Sequence, residues 1–128
     1  MEKDPLVLCD TNVIIEFYKE NLIIVDSLKS IGQEAIAVSI VTSGELIYGA
    51  LNKRELSKIN RDLSHLRVLE IDNQVCNQFT NLMVTSSLSH NLTVPDGFIA
   101  ATAITHDIPL FTLNRKDFKY IHGLKLWQ

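Results

Sequence analysis

The chain has 128 residues, 46% hydrophobic and 21% charged, with 12 Lys and Arg against 15 Asp and Glu and a net charge of −3. A single soluble domain spanning 1–128 is expected, since a chain of this size buries about two-thirds of its unfolded surface and needs no disulfide or structural metal. No apolar run exceeds four residues, whereas a membrane helix needs ~18 or more, so no bilayer-spanning helix is expected.

The elements follow as short apolar strands alternating with amphipathic helices. Leu6–Cys9 has no polar alternation, which suits a strand buried on both faces of a parallel sheet, and Asp10 and Thr11 stop it. Val13, Ile14 and Phe17 recur at helical spacing, and Leu22–Ile31 extends the helical region until Gly32 closes it. Ala35–Ser39 reads as a second buried strand, followed by a helical stretch through Glu45-Leu46-Ile47-Tyr48 that ends near Gly49. Leu56, Ile59, Leu63 and Leu66 define the next helix, with Arg54, Lys58 and Arg61 on another face. Arg67–Ile71 is the third strand, and Val75, Phe79, Leu82 and Met83 mark a long helix. Leu92–Val94 reads as an extended connection, after which Pro95-Asp96 opens a helix from Gly97 to His106. Pro109–Thr112 is the fourth strand, and Gly123–Trp127 is expected to add an edge strand. This alternation implies a parallel α/β sheet with right-handed crossovers.

Four acids occupy related places in this pattern. Asp10 ends the first strand, Glu45 follows the second, Asp96 starts a helix, and Asp117, with Asn114, follows the fourth strand. In an open α/β sheet the carboxyl ends of the strands converge on one edge where ligands bind, so acids separated by 35, 51 and 21 positions can meet there. Crowded carboxylates repel one another, and a hard divalent cation such as Mg²⁺ or Mn²⁺ makes the arrangement favourable. With these four acids neutralised, the rest of the chain carries twelve positive against eleven negative charges, which removes the objection that net charge raises to a nucleic-acid partner. Taken singly, Asp10 and Asp96 also stand where helix N-caps stand, and Asp117 also suits a solvated run, Arg115-Lys116-Asp117. Glu45 has no basic residue at helical spacing, which favours a cation as its partner if it is buried.

Four strings, LCDTNVII at 8–15, VSIVTSGELIYGA at 38–50, PDGFIAATA at 95–103 and LFTLNRKDF at 110–118, together resemble the PIN-domain family. More narrowly, they resemble the VapC-type toxins of bacterial toxin–antitoxin pairs. Each string is weak alone; four in register span essentially the whole chain. The resemblance implies a three-layer α/β/α domain around a central parallel sheet. Such a domain is usually a homodimer, hydrolyses RNA with Mg²⁺ or Mn²⁺, and is neutralised by a cognate antitoxin. It implies Asp10, Glu45 and Asp96 as the metal-holding catalytic acids, with Asn114 and Asp117 completing the pocket. Many relatives carry an acid where this chain has Asn114, which brings a carbonyl oxygen and no charge. Thr11, Asn12 and Thr112 match polar residues that support the site.

Arg115, Lys116 and Lys119 lie next to the presumed cleft and suit phosphate contact; Arg54, Lys58 and Arg61 suit either an RNA-facing stripe or a solvated helix face. His65, His90, His106 and His122 fall near helix ends or loops without ligand spacing, and the serines lack a G-x-S-x-G elbow. Cys9 and Cys76 stand in neither C-x-x-C nor zinc spacing, and with Lys3 followed by too few apolar residues for a secretory signal, they read as reduced thiols in a cytoplasmic protein. Two rivals remain. A housekeeping RNA-processing nuclease of the PIN type would use the same acids without an antitoxin. A receiver-like acidic-pocket module would need a mid-chain strand-end Asp and a late strand-end Lys, and neither is evident.

Overall fold

A computed structural model describes residues 5–128; residues 1–4, including Lys3 and the start of the expected 1–128 domain, lie outside the described residues. The expected buried runs become four short parallel strands, β1 (Val7–Cys9), β2 (Ile36–Ser39), β3 (Arg67–Leu69) and β4 (Leu110–Phe111), in the order β3-β2-β1-β4. Register pairs Val7 with Ile36, Leu8 with both Ala37 and Leu110, and Cys9 with Phe111. Six helices surround the sheet: α1 (Thr11–Tyr18), α2 (Leu22–Ile31), α3 (Ile40–Tyr48), α4 (Lys53–Leu63), α5 (Asn73–His90) and α6 (Val94–His106).

The pleat sorts successive side chains to opposite faces. Val7, Cys9, Ile36, Val38 and Phe111 point to one side, where they pack with Val13 and Ile14 of α1, Ile24 and Leu28 of α2, Leu46 of α3 and Leu63 of α4. Leu8, Ala37, Leu69 and Leu110 point to the other, against Ile99, Ala100 and Ala103 of α6, with Leu82 and Met83 of α5 behind. This is the expected α/β/α arrangement. Gly97 lets α5 and α6 approach closely: a Cβ there would lie 2.8 Å from Met83 Sδ and 3.1 Å from Phe79 Cε1. Phe79 and Phe98 stack across the same contact with centroids 3.7 Å apart.

Three expectations change. The helical region after β1 is two helices, because the chain reverses between them through Glu20 at φ 61 and restarts at Asn21, whose side chain accepts from the Ile23 N–H. The edge strand at 123–127 reduces to one bridge between Leu110 and Leu126, since β4 is only two residues long and offers little ladder. Helix α6 starts at Val94, not Gly97, because Thr93 is its N-cap and Pro95 sits in the first turn, where its missing N–H costs nothing.

Candidate active site

Because the chain lays β1, β2 and β3 on one side and then returns to place β4 beside β1, the strand order reverses at the β1–β4 pair. A crevice opens at the carboxyl ends of strands at such a point. Asp10 and Thr112 follow those two strands. The Thr112 hydroxyl donates to Asp10 Oδ2 at 2.8 Å, and the Thr11 N–H donates to Asp10 Oδ1 at 2.7 Å. Asp10 therefore is the N-cap of α1, and it is 5% exposed with both oxygens occupied. Burial still pushes its carboxyl above the ordinary carboxylate range; the two hydrogen bonds oppose this, and the charges of Glu45 and Asp117 add to it.

Ser39 caps α3 directly at the end of β2, so this helix carries Thr42 and Glu45 toward the same edge. The Thr11 hydroxyl donates to Glu45 Oε1 at 2.7 Å and stands 2.9 Å from the Thr42 hydroxyl. Glu45 is exposed, so the burial cost that would have demanded a cation for it does not apply, and its partner in the fold is a threonine. Thr42 is fully buried and was missed as a site residue; its place three residues before Glu45 on a helix was the available signal.

Asp96 lies in the first turn of α6 and is not its cap; its backbone N–H donates to Thr93 Oγ1 at 3.4 Å. Its half-buried carboxyl is pushed up to about 6, first by burial and then by the charges of Asp10 and Asp117, with Glu45 adding a little and Thr93 opposing. Asp10, Glu45, Asp96 and Asp117 thus act on one another electrostatically, as a shared cleft requires. Beyond β4, the Asn114 N–H donates to Thr112 Oγ1 at 3.1 Å, and Asn114 starts a 3-10 turn, Arg115–Asp117, leaving its own side chain and Asp117 exposed. Asn12 Oδ1 accepts from the Leu113 N–H at 3.3 Å, tying the start of α1 to this segment.

Lys116 and Lys119 are exposed and enter no ion pair among the described residues, whereas Arg115 donates to the Trp127 carbonyl at 3.0 Å. Of the other basic group, Lys58 is bound to Asp62 at 3.0 Å and lies over the Tyr18 ring, so it serves the fold. Cys9 is buried and its thiol is pushed up to about 12, by burial first and by Asp10 second, which removes it as a nucleophile.

The side chains that hydrogen bonds gather at this edge, Asp10, Thr11, Thr42, Glu45 and Thr112, offer oxygen ligands, no cation pairs with the site's acids among the described residues, and Asp10 and Asp96 are held above their ordinary range. That chemistry fits a hard divalent ion. Among the described residues no three Asp, Glu, His or Cys side chains converge closely enough to enclose a metal together. The fit is therefore to an ion taking one or two carboxylates directly and the rest through water, which is how Mg²⁺ is usually held.

A parallel sheet in this order, flanked on both faces and carrying acids at its carboxyl edge, defines a nuclease-like α/β/α class. The PIN domain model matches residues 7–124, and the chain belongs to the PIN-domain family. Among its relatives is a Ribonuclease VapC10 of Mycobacterium tuberculosis, 30% identical over 122 residues that cover 94% of this chain and 91% of the relative. Ribonuclease VapC1 of Methanocaldococcus jannaschii is 28% identical over 130 residues, 98% of this chain and 90% of the relative. Among solved structures, VapBC2 of Rickettsia felis bound to a DNA fragment from its promoter is similar with a TM-score of 0.80 at 26% identity, covering 96% of this chain and 99% of that one.

Proposed function

We propose that the chain is one PIN nuclease domain that cleaves RNA phosphodiester bonds as the VapC-type toxin of a toxin–antitoxin pair, in the cytoplasm. The observation that carries this reading is the cleft of Asp10, Glu45, Asp96 and Asp117: these acids meet no cation among the described residues, and burial together with the charges around them pushes the carboxyls of Asp10 and Asp96 up. Family membership and VapC relatives along nearly the whole chain support it. Asp10, Asp96 and Glu45 would hold Mg²⁺ or Mn²⁺, no more than two of them directly and the rest through water, and Asn114 and Asp117 complete the pocket. When bound, such an ion neutralises phosphodiester charge and makes water a better nucleophile at neutral pH. The chain's own residues fix the geometry: Thr11 and Thr112 orient Asp10, and the Thr11 hydroxyl steadies Glu45. Lys116 and Lys119 draw the RNA backbone to the cleft, and Arg115 contributes once its hold on the Trp127 carbonyl is released.

The partner is an antitoxin, in keeping with the toxin–antitoxin complexes among similar solved structures. A groove of about 400 Å³ between α1, α2 and α4, lined by Ile14, Phe17, Val25 and Leu28, supports this, as do exposed Leu22 and Ile23 beside it. A homodimer is the assembly; Tyr48 and Leu51 at the end of α3, 92% and 85% exposed, supply apolar surface for it. Among the described residues no helix is long and apolar enough to cross a membrane.

The test is cleavage of an RNA pool with Mg²⁺, with Mn²⁺ and with EDTA. Cleavage is expected with either ion and absent in EDTA, and Asp96→Asn is expected to lower it on the order of 100-fold or more while the circular dichroism spectrum is unchanged. Full activity in EDTA overturns the metal role; wild-type activity of Asp96→Asn removes Asp96 from the site.

A further inference from the structure

Two buried hydroxyls have no hydrogen-bond partner among the described residues, those of Thr105 and Tyr120. Thr105 lies on α6, where a threonine can turn to the carbonyl four residues back, as Thr102 does to Phe98 at 2.7 Å. Tyr120 has no such outlet, because a phenol oxygen sits at the far end of a rigid ring. The ring itself is clamped: His90, the last residue of α5, stacks on it with centroids 3.9 Å apart and planes within 4°. Only Asn91 and Leu92 separate His90 from the Thr93 cap of α6, and Tyr120 follows Asp117 by three residues. The stack therefore holds the Tyr120 ring against the end of α5, close along the chain to the first turn of α6, which carries Asp96, while Tyr120 itself follows the 3-10 turn that carries Asp117. Burial and then the charges of Asp96 and Asp117 push the phenol above its ordinary range, which agrees with that placement.

The two key acids differ in how they are held. Asp10 has a donor on each oxygen. Asp96 is half-buried, and among the described residues its one side-chain hydrogen-bond partner is Thr93, whose hydroxyl accepts from the Asp96 backbone N–H. A buried donor without an acceptor thus feels the charge of a carboxylate short of donors, and a buried unpaired polar group calls for a partner.

We propose that Tyr120 is a positioning residue for Asp96: its hydroxyl donates to one oxygen of the Asp96 carboxylate when that group turns toward it, leaving the other oxygen directed into the cleft. His90 acts through Tyr120 by fixing the ring. The inference rests on the reading that Asp96 belongs to a metal-dependent site.

The experiment compares wild-type protein with Tyr120→Phe, which keeps the ring and its stack and removes only the hydroxyl. Mn²⁺ affinity, measured by calorimetry without RNA, is expected to fall about tenfold, as for loss of one hydrogen bond to a charged group. Cleavage should show a similar loss in kcat with KM unchanged, and melting without metal should be preserved, whereas a merely structural ring would leave both Mn²⁺ affinity and kcat untouched. Unchanged Mn²⁺ affinity and kcat in Tyr120→Phe, with a wild type that binds Mn²⁺ and cleaves, overturns the positioning role alone. A wild type that binds no Mn²⁺ and cleaves in EDTA overturns both readings. If Tyr120→Phe loses its fold, the same comparison on His90→Ala decides, with a smaller loss in the same direction expected.

Discussion

At the scale of single residues, the cleft acids are costly to the fold they sit in. The folded protein keeps the Asp96 proton up to about pH 6, whereas the unfolded chain releases it near the ordinary value of 3.8. Between those values the folded state binds more protons than the unfolded one, so stability falls as pH rises through this window. Asp10 acts in the same direction. Glu16 and Asp62, whose carboxyls are lowered, act oppositely but at the acid end, below their ordinary values of 4.5 and 3.8. In EDTA the melting temperature is therefore expected to be higher at pH 5 than at pH 7, with Mn²⁺ restoring it at pH 7 and Asp96→Asn flattening the profile. A melting temperature that rises from pH 5 to pH 7 without metal would remove the premise of strained carboxylates. The two cysteines allow a simpler check. Cys9 is buried and held as a thiol, and Cys76 is exposed, so a thiol reagent is expected to titrate one group in the native protein and two after denaturation.

At the scale of elements, Asp96 is placed by the packing of α6 on α5 as much as by its own helix turn. Adding a methyl at Gly97 puts it against Met83 Sδ and the Phe79 ring. The sulfur can move; the ring, stacked on Phe98, cannot easily do so. Gly97→Ala is expected to destabilise by about 1–3 kcal/mol despite the better helix propensity of alanine, and to lower cleavage because the neighbouring carboxylate shifts with the helix. Calorimetric melting and a cleavage assay on the same variant check both parts. The packing that makes Gly97 necessary is long-range and was not legible in the sequence. Strands β1, β2 and β4 were legible because both faces of each are buried and the runs are apolar without alternation, whereas β3, at the edge of the sheet, leaves Arg67 exposed. Helix α6 starts before the point that Pro95-Asp96 indicates because Thr93, two residues ahead of Pro95, supplies the capping oxygen. For the candidate site, the acids stood out by their places after strands. The threonines that hold them divided: Thr11 and Thr112 match the family strings, Thr42 is signalled only by its place three residues before Glu45, and the orphaned Tyr120 hydroxyl emerges only when distant segments meet.

At the scale of the molecule, the acidic cleft and the apolar groove are joined by α1. Its eight residues begin beside Asp10 and end with Phe17 and Tyr18 in the groove wall. A helix of that length spans ~12 Å, which about four extended residues can cross. One partner segment can therefore bury apolar anchors in the groove and reach the cleft, where a basic side chain would supply the missing positive charge and acidic ones would pair with Lys116 and Lys119. Such a segment gains its structure on binding and blocks RNA by occupation. Expression of this chain alone is expected to arrest bacterial growth, with Asp10→Ala relieving the arrest. The co-purified pair should be inactive until protease removes the antitoxin. Phe17→Asp separates inhibition from catalysis, because Phe17 is 40% exposed in the groove wall, at the end of α1 away from its cap Asp10. The variant should cleave RNA as the wild type does but bind the antitoxin at least tenfold more weakly, since it places an unpaired charge where an apolar anchor must dock. Titrating antitoxin into a cleavage assay measures both properties. Inhibition of Phe17→Asp at the wild-type antitoxin concentration would move the docking surface elsewhere, and unimpeded growth with an active wild-type protein would replace the toxin reading with that of an RNA-processing nuclease.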